Sequence, residues 1–191
     1  MQFTLQEQDG KRILLAEGAI DTGLVPRLKA ALEKNKPIDE IRLRSAGGNA
    51  RVGTEAGRLI RESLAFTRIP SGWACFSACN FMFMGGRGRI VDVGGHFVVH
   101  MFTHVGDGQV VAAEVMKGYE STVNLIGEVE QGSALLASED NDFLIRMGVS
   151  RKLLTEVMYQ QKALENQGED ASTRRCLTQE ELLKYRVVNA R

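Results

Sequence analysis

The sequence has little of what several large classes of protein require. Its apolar runs fall far short of the roughly 20 residues that a membrane-spanning helix needs, and 43% hydrophobic residues with only 3 prolines exclude a disordered chain. Lysine plus arginine (24) equal aspartate plus glutamate (24), and no basic run is present, which argues against nucleic-acid binding. The start, MQFTLQEQDGKRILL, lacks the basic and apolar segments of a signal peptide. We therefore expect a globular protein without a membrane span, cytoplasmic as the chain is given, or periplasmic if a signal peptide was removed from it.

Cysteine is also scarce. The 3 cysteines, Cys75, Cys79 and Cys176, form an odd set without a repeated pair spacing, which fits neither a disulfide framework nor a four-cysteine zinc site. Cys75 and Cys79 stand four apart across an expected helix start, a separation that seldom lets two Cβ atoms approach to disulfide distance. We expect both to be small buried packing residues.

The spacing of the three histidines raises a metal hypothesis. His96, His100 and His104 are four residues apart, so they would share one face of a continuous strand. No carboxylate or cysteine stands at ligand spacing, however, and His96 and His104 are more simply explained as residues at or near the surface. The sequence predicts no metal and no cofactor.

Strand-like and helix-like periodicities alternate along the first half of the chain, which is typical of an α/β fold with parallel strands. RILLAEG and IDEIRLRS read as strands, and each is followed by apolar residues at helical spacing. GRIVDVGGHFVVH reads as another strand, and residues 111–147 as one long helical arm that continues as helix from residue 150. We predict a single domain over residues 1–191.

Ser77 is the candidate nucleophile. In WACFSACNFMFMGG it lies between a strand and an apolar helix, where backbone N–H groups such as that of Ala78 are free to face a carbonyl oxygen. A serine at a helix start is by itself most often an N-cap. Other segments must therefore supply the reason to assign it a chemical role.

Two further segments supply that reason. His100 ends the next strand and is the best candidate for a general base. Gly47 and Gly48 end an earlier strand, where residues without side chains can bring a second N–H to the same carbonyl. A carboxylate should orient the histidine, and spacing leaves several open: Asp92, Asp107, Glu156, Glu169 and Asp170.

Four segments in this order resemble the Clp protease proteolytic subunit and its relatives in the ClpP/crotonase superfamily. IRLRSAGGNARVGTEAGRLIR is similar to that family's strand ending in Ser-Pro-Gly-Gly before a helix, and CFSACNFMFMGGRGRI to its nucleophile segment. GGHFVVHMF is similar to the strand that ends in the catalytic histidine, and EDASTRRCLTQEELLKYRVVN to the closing unit that contains the catalytic aspartate. Four positions depart from the family pattern: Ala46 replaces Pro, Cys79 replaces a glycine, and Arg186 with Asn189 alters the usual ending.

The resemblance implies a ClpP/crotonase-like α/β fold of repeated ββα units with a long helical arm. It implies a serine peptidase that cleaves a peptide or protein substrate through an acyl-enzyme, with Ser77, His100 and Asp170 as triad. Counted from the upstream helix, the acid falls on Glu156 instead, and Glu169 stays a further alternative. The oxyanion donors fall on Gly47, Gly48 and Ala78, and the chain is expected to form a homo-oligomer.

Two other functions fit the same fold. In a crotonase-type acyl-CoA enzyme the two N–H donors would polarise a thioester carbonyl and Ser77 would be incidental. In a non-catalytic assembly or binding protein, the arm at residues 111–147 would be the working surface.

Overall fold

The computed structural model describes residues 1–101, 108–162 and 172–190. The expected single domain over residues 1–191 stays a prediction, although one cluster of buried apolar side chains draws on strands and helices from both ends of the chain.

The larger sheet is built from five strands. They are β1 Gln2–Gln8, β2 Lys11–Glu17, β3 Glu40–Arg44, β4 Phe66–Ile69 and β6 Arg89–Val91, and they lie in the order β1-β2-β3-β4-β6. β1 and β2 form an antiparallel hairpin, and the following pairs, β2 with β3, β3 with β4 and β4 with β6, are parallel. The predicted α/β fold with parallel strands is confirmed.

A second, smaller sheet contains the strands β5 Ala74–Phe76, β7 His96–Val99 and β8 Arg175–Cys176. They lie in the order β5-β7-β8. β5 and β7 are parallel, and β8 runs antiparallel to β7. The expected single strand through GRIVDVGGHFVVH is therefore wrong, because a turn at residues 92–95 sends β6 and β7 into different sheets.

In the described ranges, six α-helices connect and cover the sheets. They are α1 Leu24–Asn35, α2 Ala50–Ser63, α3 Ala78–Met84, α4 Gly108–Met116, α5 Tyr119–Met147 and α6 Gln179–Lys184. The expected helical arm over residues 111–147 consists of two helices, since it is interrupted between Met116 and Tyr119, where Gly118 has φ +115°. The expected helix after residue 150 is a π-helical turn, Leu153–Val157, followed by a 3-10 turn, Met158–Gln160.

α2 and α3 pack with their backbones almost in contact. A Cβ placed on Gly53 would lie 2.5 Å from the carbonyl oxygen of Ala78, and one on Gly57 would lie 2.4 Å from that of Phe81. Real Cβ atoms do not approach so closely, so this packing requires glycine at both positions. All seven residues of α3 are buried as a result, which agrees with the apolar helix expected after Ser77.

The arm, which is formed by α4 and the first turns of α5, has an exposed apolar surface. No residue of α4 is buried, and the buried residues of α5 are confined to its last two turns. The exposed apolar side chains of this arm are Val110, Val115, Met116, Tyr119, Val123 and Ile126. Within the described part of the chain, no helix is both long and apolar enough to cross a membrane.

A buried arginine joins the ends of several segments. Arg89 is only 2% exposed, and burial, with the charge of Arg61 nearby, lowers its pKa to about 10. Its guanidinium donates to the carbonyl oxygens of Val187 (2.7 Å), Arg186 (2.9 Å) and Met147 (3.1 Å). Carbonyls at helix C-termini lack partners within their own helix, and here a side chain satisfies them.

Replacing Arg89 by methionine is expected to destabilise the protein by roughly 3 kcal/mol, because several buried carbonyls lose their donors at once. Urea unfolding measures the effect. Arg87→Met is the control, since Arg87 is two residues away and exposed. Equal stability of the two variants would show that the buried network contributes nothing.

Candidate active site

The ends of three neighbouring strands meet at one place. β5 and β7 pair in parallel with Phe76 opposite Val98, so Ser77 and His100 each follow directly after the end of one of two adjacent strands. A bridge between Ser45 and Cys75 brings the segment after β3 alongside β5. The carboxyl ends of parallel strands form one edge, and this edge is where open α/β sheets bind ligands.

Ser77 forms the turn between β5 and α3 in a backbone conformation that residues with side chains rarely adopt. Its φ is +55° and its ψ is −125°. Such a conformation costs of the order of 1–3 kcal/mol and persists only where surrounding packing maintains it. The Ser77 side chain makes no cap hydrogen bond to the helix, so the N-cap explanation does not account for the serine.

The Gly47–Gly48 turn lies directly against Ser77. A Cβ added to Gly47 would lie 2.7 Å from Ser77 Cβ and 3.3 Å from Ser77 Oγ, and the φ of Gly47 is +94°. Only glycine fits here, both for space and for backbone conformation. The turn therefore lies in direct contact with Ser77, and its role as an oxyanion donor stays a prediction.

The candidate oxyanion donors differ in their present partners. Gly47 N–H donates to the buried Ser45 Oγ at 3.0 Å. Ala78 N–H, at the first position of α3, and Gly48 N–H donate to no other described residue. Among the described residues, these two N–H groups are thus left without a protein acceptor.

His100 has an orienting contact that the sequence analysis did not anticipate. Its Nδ1 lies 3.1 Å from Ser172 Oγ, and Ser172 is only 5% exposed. His100 itself is half-buried. One contact of the imidazole is therefore with a buried hydroxyl, in addition to the carboxylate that the sequence analysis expected.

Two of the candidate carboxylates are engaged elsewhere. Asp92 accepts from Arg68 Nη1 at 2.5 Å. Glu156 is exposed and accepts from the hydroxyl of Tyr185 at 2.9 Å and from Lys184 Nζ at 3.2 Å, and these bonds lower its pKa. The remaining candidates lie outside the described residues: Asp107, Glu169 and Asp170.

The expectation that Cys75 and Cys79 are unbridged packing residues is wrong. They form a disulfide with Cα atoms 5.3 Å apart, and both side chains are fully buried. The reason is the backbone at Ser77, which reverses the chain between them and brings the end of β5 back toward the first turn of α3. The disulfide therefore closes around the candidate nucleophile.

The other histidines and the third cysteine do not form a metal site in the part of the chain that the structure describes. His96 Nδ1 lies 3.6 Å from Cys176 Sγ, and both residues are exposed. Partial burial of the Cys176 sulfur nevertheless raises the pKa of its thiol, which disfavours the thiolate that would bind a metal. His104 lies outside the described residues, and the described ones contain no cluster of three or more potential ligands.

The sequence analysis did not identify three polar residues that form hydrogen bonds in this site. Ser45 accepts from the Gly47 N–H, Ser172 contacts His100, and the buried Asn80 donates to Val98 O at 2.7 Å. The Asn80 bond ties α3 to the end of β7 and thus links the elements that place Ser77 and His100. Its position three residues after Ser77, inside an apolar run, was the available signal.

The fold is a mixed α/β architecture similar to that of ClpP-like proteins. A point mutant of ClpP1 from Listeria monocytogenes is similar over 93% of this chain and 89% of its own, with a TM-score of 0.57 and 15% identity. A mutant of a membrane-bound stomatin-specific protease, 1510-N, is similar over 92% of this chain and 76% of its own, with a TM-score of 0.53 and 14% identity. A different mutant of that protease, in complex with a substrate peptide, gives a TM-score of 0.53 at 15% identity, over 92% of this chain and 72% of its own.

Comparison of the sequence finds no match. No protein-family model matches the chain, and no curated protein sequence matches it. The likeness in structure therefore establishes the fold, and the chemistry has to be argued from the residues.

The disulfide makes a prediction that thiol chemistry can check. The unreduced, denatured protein should show one reactive thiol, that of Cys176, and three after reduction. Replacing Cys75 and Cys79 together by alanine should lower the free energy of unfolding by about 2 kcal/mol, the loop-closure value for so short a loop. Cys176→Ala is the control and should change stability little, because Cys176 is exposed. Three reactive thiols before reduction would contradict the pairing.

Proposed function

We propose that this protein is a serine peptidase of the ClpP-like kind that cleaves peptide bonds through an acyl-enzyme formed on Ser77. The observation that supports this most directly is the backbone of Ser77, held at φ +55° on a strand-to-helix turn without a cap hydrogen bond. A serine on a strained turn of this kind exposes its hydroxyl above the sheet edge, as the serine nucleophiles of α/β hydrolases do.

His100 is the general base in this proposal. It follows the strand next to the one that ends at Ser77, on the same edge of the sheet. Its imidazole takes the proton of Ser77 Oγ as that oxygen bonds to the substrate carbonyl carbon. The imidazolium then donates the proton to the leaving amine when the C–N bond breaks. A water molecule, deprotonated by the same imidazole, hydrolyses the ester and restores Ser77.

The oxyanion accepts hydrogen bonds from backbone N–H groups on both sides of Ser77. Ala78 N–H provides one, and the Gly47–Gly48 turn provides the other, with Gly48 N–H the one that has no acceptor among the described residues. Such donors are fixed before the reaction, so they stabilise the developing charge without reorganisation. Asp170 stays the triad acid that the resemblance implies, and it lies outside the described residues.

The strained serine separates this proposal from the acyl-CoA alternative. A thioester-binding enzyme of this fold needs the two N–H donors but gives no role to a hydroxyl at the turn. The strain at Ser77, the Gly47 contact and the disulfide across the turn all act on the serine itself. These features favour nucleophilic catalysis.

The substrate is a peptide or protein in this proposal, and the protein acts as a homo-oligomer. Two of the similar structures are of a stomatin-specific protease, and one of these is in complex with a substrate peptide. The exposed apolar arm, which includes Met116 at 88% exposure and Tyr119 at 83%, is a surface that a second copy of the chain would cover. Self-association through this arm depends on its apolar residues and not on the chemistry at Ser77.

Ser77→Ala is expected to abolish labelling by a fluorophosphonate probe, because the probe forms its covalent bond with an activated serine oxygen and releases fluoride. Labelling is read by intact mass. Ser71→Ala is the control, since Ser71 is an exposed serine six residues away. Labelling of the Ser77→Ala variant at the rate of the wild type would exclude Ser77 as the nucleophile.

Gly47→Ala is expected to slow labelling by about tenfold or more, because the new Cβ pushes the Ser77 side chain out of place. Gly72→Ala is a matched control: Gly72 also has a positive φ, +77°, but no atom lies within 4 Å of the added Cβ. Both variants should lose about 1 kcal/mol of stability from backbone strain. Unchanged labelling of Gly47→Ala would show that the turn does not position Ser77.

A further inference from the structure

We propose that Ser172 is a positioning residue for His100, acting through its contact with Nδ1. This role rests on the proposed acyl-enzyme chemistry of Ser77. The geometric basis is the 3.1 Å separation between His100 Nδ1 and Ser172 Oγ, made by a serine that is 5% exposed. A buried hydroxyl that contacts an imidazole at hydrogen-bond distance restricts both rotation of the ring and the choice of its protonated nitrogen.

The backbone around Ser172 is held independently of the histidine. β8 pairs antiparallel with β7, with Val99 opposite Arg175, so the chain before β8 lies along the end of β7 and reaches His100. Thr173 is anchored twice to Lys162: its N–H donates to the carbonyl oxygen of Lys162 at 2.8 Å, and its Oγ1 accepts from the Lys162 N–H at 2.9 Å. Ser172 therefore stands on a fixed segment, as a positioning residue requires.

The chemistry determines the direction of the hydrogen bond. To accept a proton from Ser77, the imidazole must have its lone pair on Nε2, so Nδ1 must carry the hydrogen. Ser172 Oγ then accepts from Nδ1–H, and its own hydrogen is directed to another acceptor. The Ser172 contact thus favours the reactive tautomer of the histidine.

The test compares variants that keep or remove the hydroxyl at constant shape. Ser172→Thr keeps it and Ser172→Val, which is isosteric with threonine, removes it. With the fluorophosphonate probe, the maximal inactivation rate constant of Ser172→Val should fall about tenfold to a hundredfold. The half-saturating probe concentration should stay within about twofold, because the variant loses the orientation of His100 and not the binding of the probe. Ser172→Thr should label close to the rate of the wild type. Urea unfolding of both variants establishes that they are folded, and Ser172→Ala replaces the valine variant if valine does not fit.

A second readout does not depend on turnover. Side-chain ¹⁵N NMR of His100 should show the Nδ1–H tautomer in the wild type and in Ser172→Thr, and a shift toward the Nε2–H tautomer in Ser172→Val. A structural role confined to packing would leave the tautomer unchanged, and that result would overturn the proposal.

Asp170→Asn tests the acid of the proposed triad separately from Ser172. Because Asp170 is that acid in the proposed function, this variant is expected to lose labelling whatever residue stands at 172. A strong loss in Asp170→Asn with full activity in Ser172→Val would overturn the role of Ser172 and leave the peptidase proposal standing. Absence of labelling at Ser77 in the wild type would refute the peptidase proposal itself, whatever the tautomer of His100.

Discussion

The backbone reversal at Ser77 is the constraint on which the candidate site depends. A non-glycine residue does not hold φ +55° with ψ −125° unless its surroundings leave no alternative. Gly47 packs against the Ser77 side chain, Gly53 lets α2 approach the start of α3, and a disulfide closes the turn from the other side. Each contact is made to Ser77 itself or to a residue close to it in the turn. The backbone strain is therefore balanced at the turn rather than by the domain as a whole.

The same close packing explains why α3 can serve as a rigid support. Helices that approach at glycines leave no room for side chains to rearrange. The carbonyls of Met84 and Met147, at the ends of α3 and α5, accept from the buried Arg89 and also from Arg61. The arm formed by α4 and the first part of α5 has the opposite character, since its apolar residues are exposed. The molecule therefore combines a tightly packed site with an exposed apolar surface suited to association.

The contact between His100 and Ser172 bears on how a serine hydrolase of this fold can orient its base. A carboxylate is the usual partner of the histidine, and it both orients the ring and stabilises its positive charge. The Ser172 hydroxyl lies within hydrogen-bond distance of Nδ1, where it can restrict the ring but adds no charge. Two other residues, Ala46 and Cys79, also differ from the pattern of the family that the sequence resembles. The order of strand, turn and helix is nevertheless retained.

Local periodicity and turn residues were enough to predict the α/β class, the strand end before Gly47, the junction at Ser77 and the position of His100, because each depends on neighbours in sequence. Local pattern failed where distant segments decide. GRIVDVGGHFVVH divides between two sheets because β6 and β7 find different partners. Cys75 and Cys79 pair because the turn between them is held by Gly47, which is far away in sequence. Ser172 meets His100 across 72 positions, and no spacing rule reaches that far, since the antiparallel pairing of β8 with β7 exists only in the folded chain.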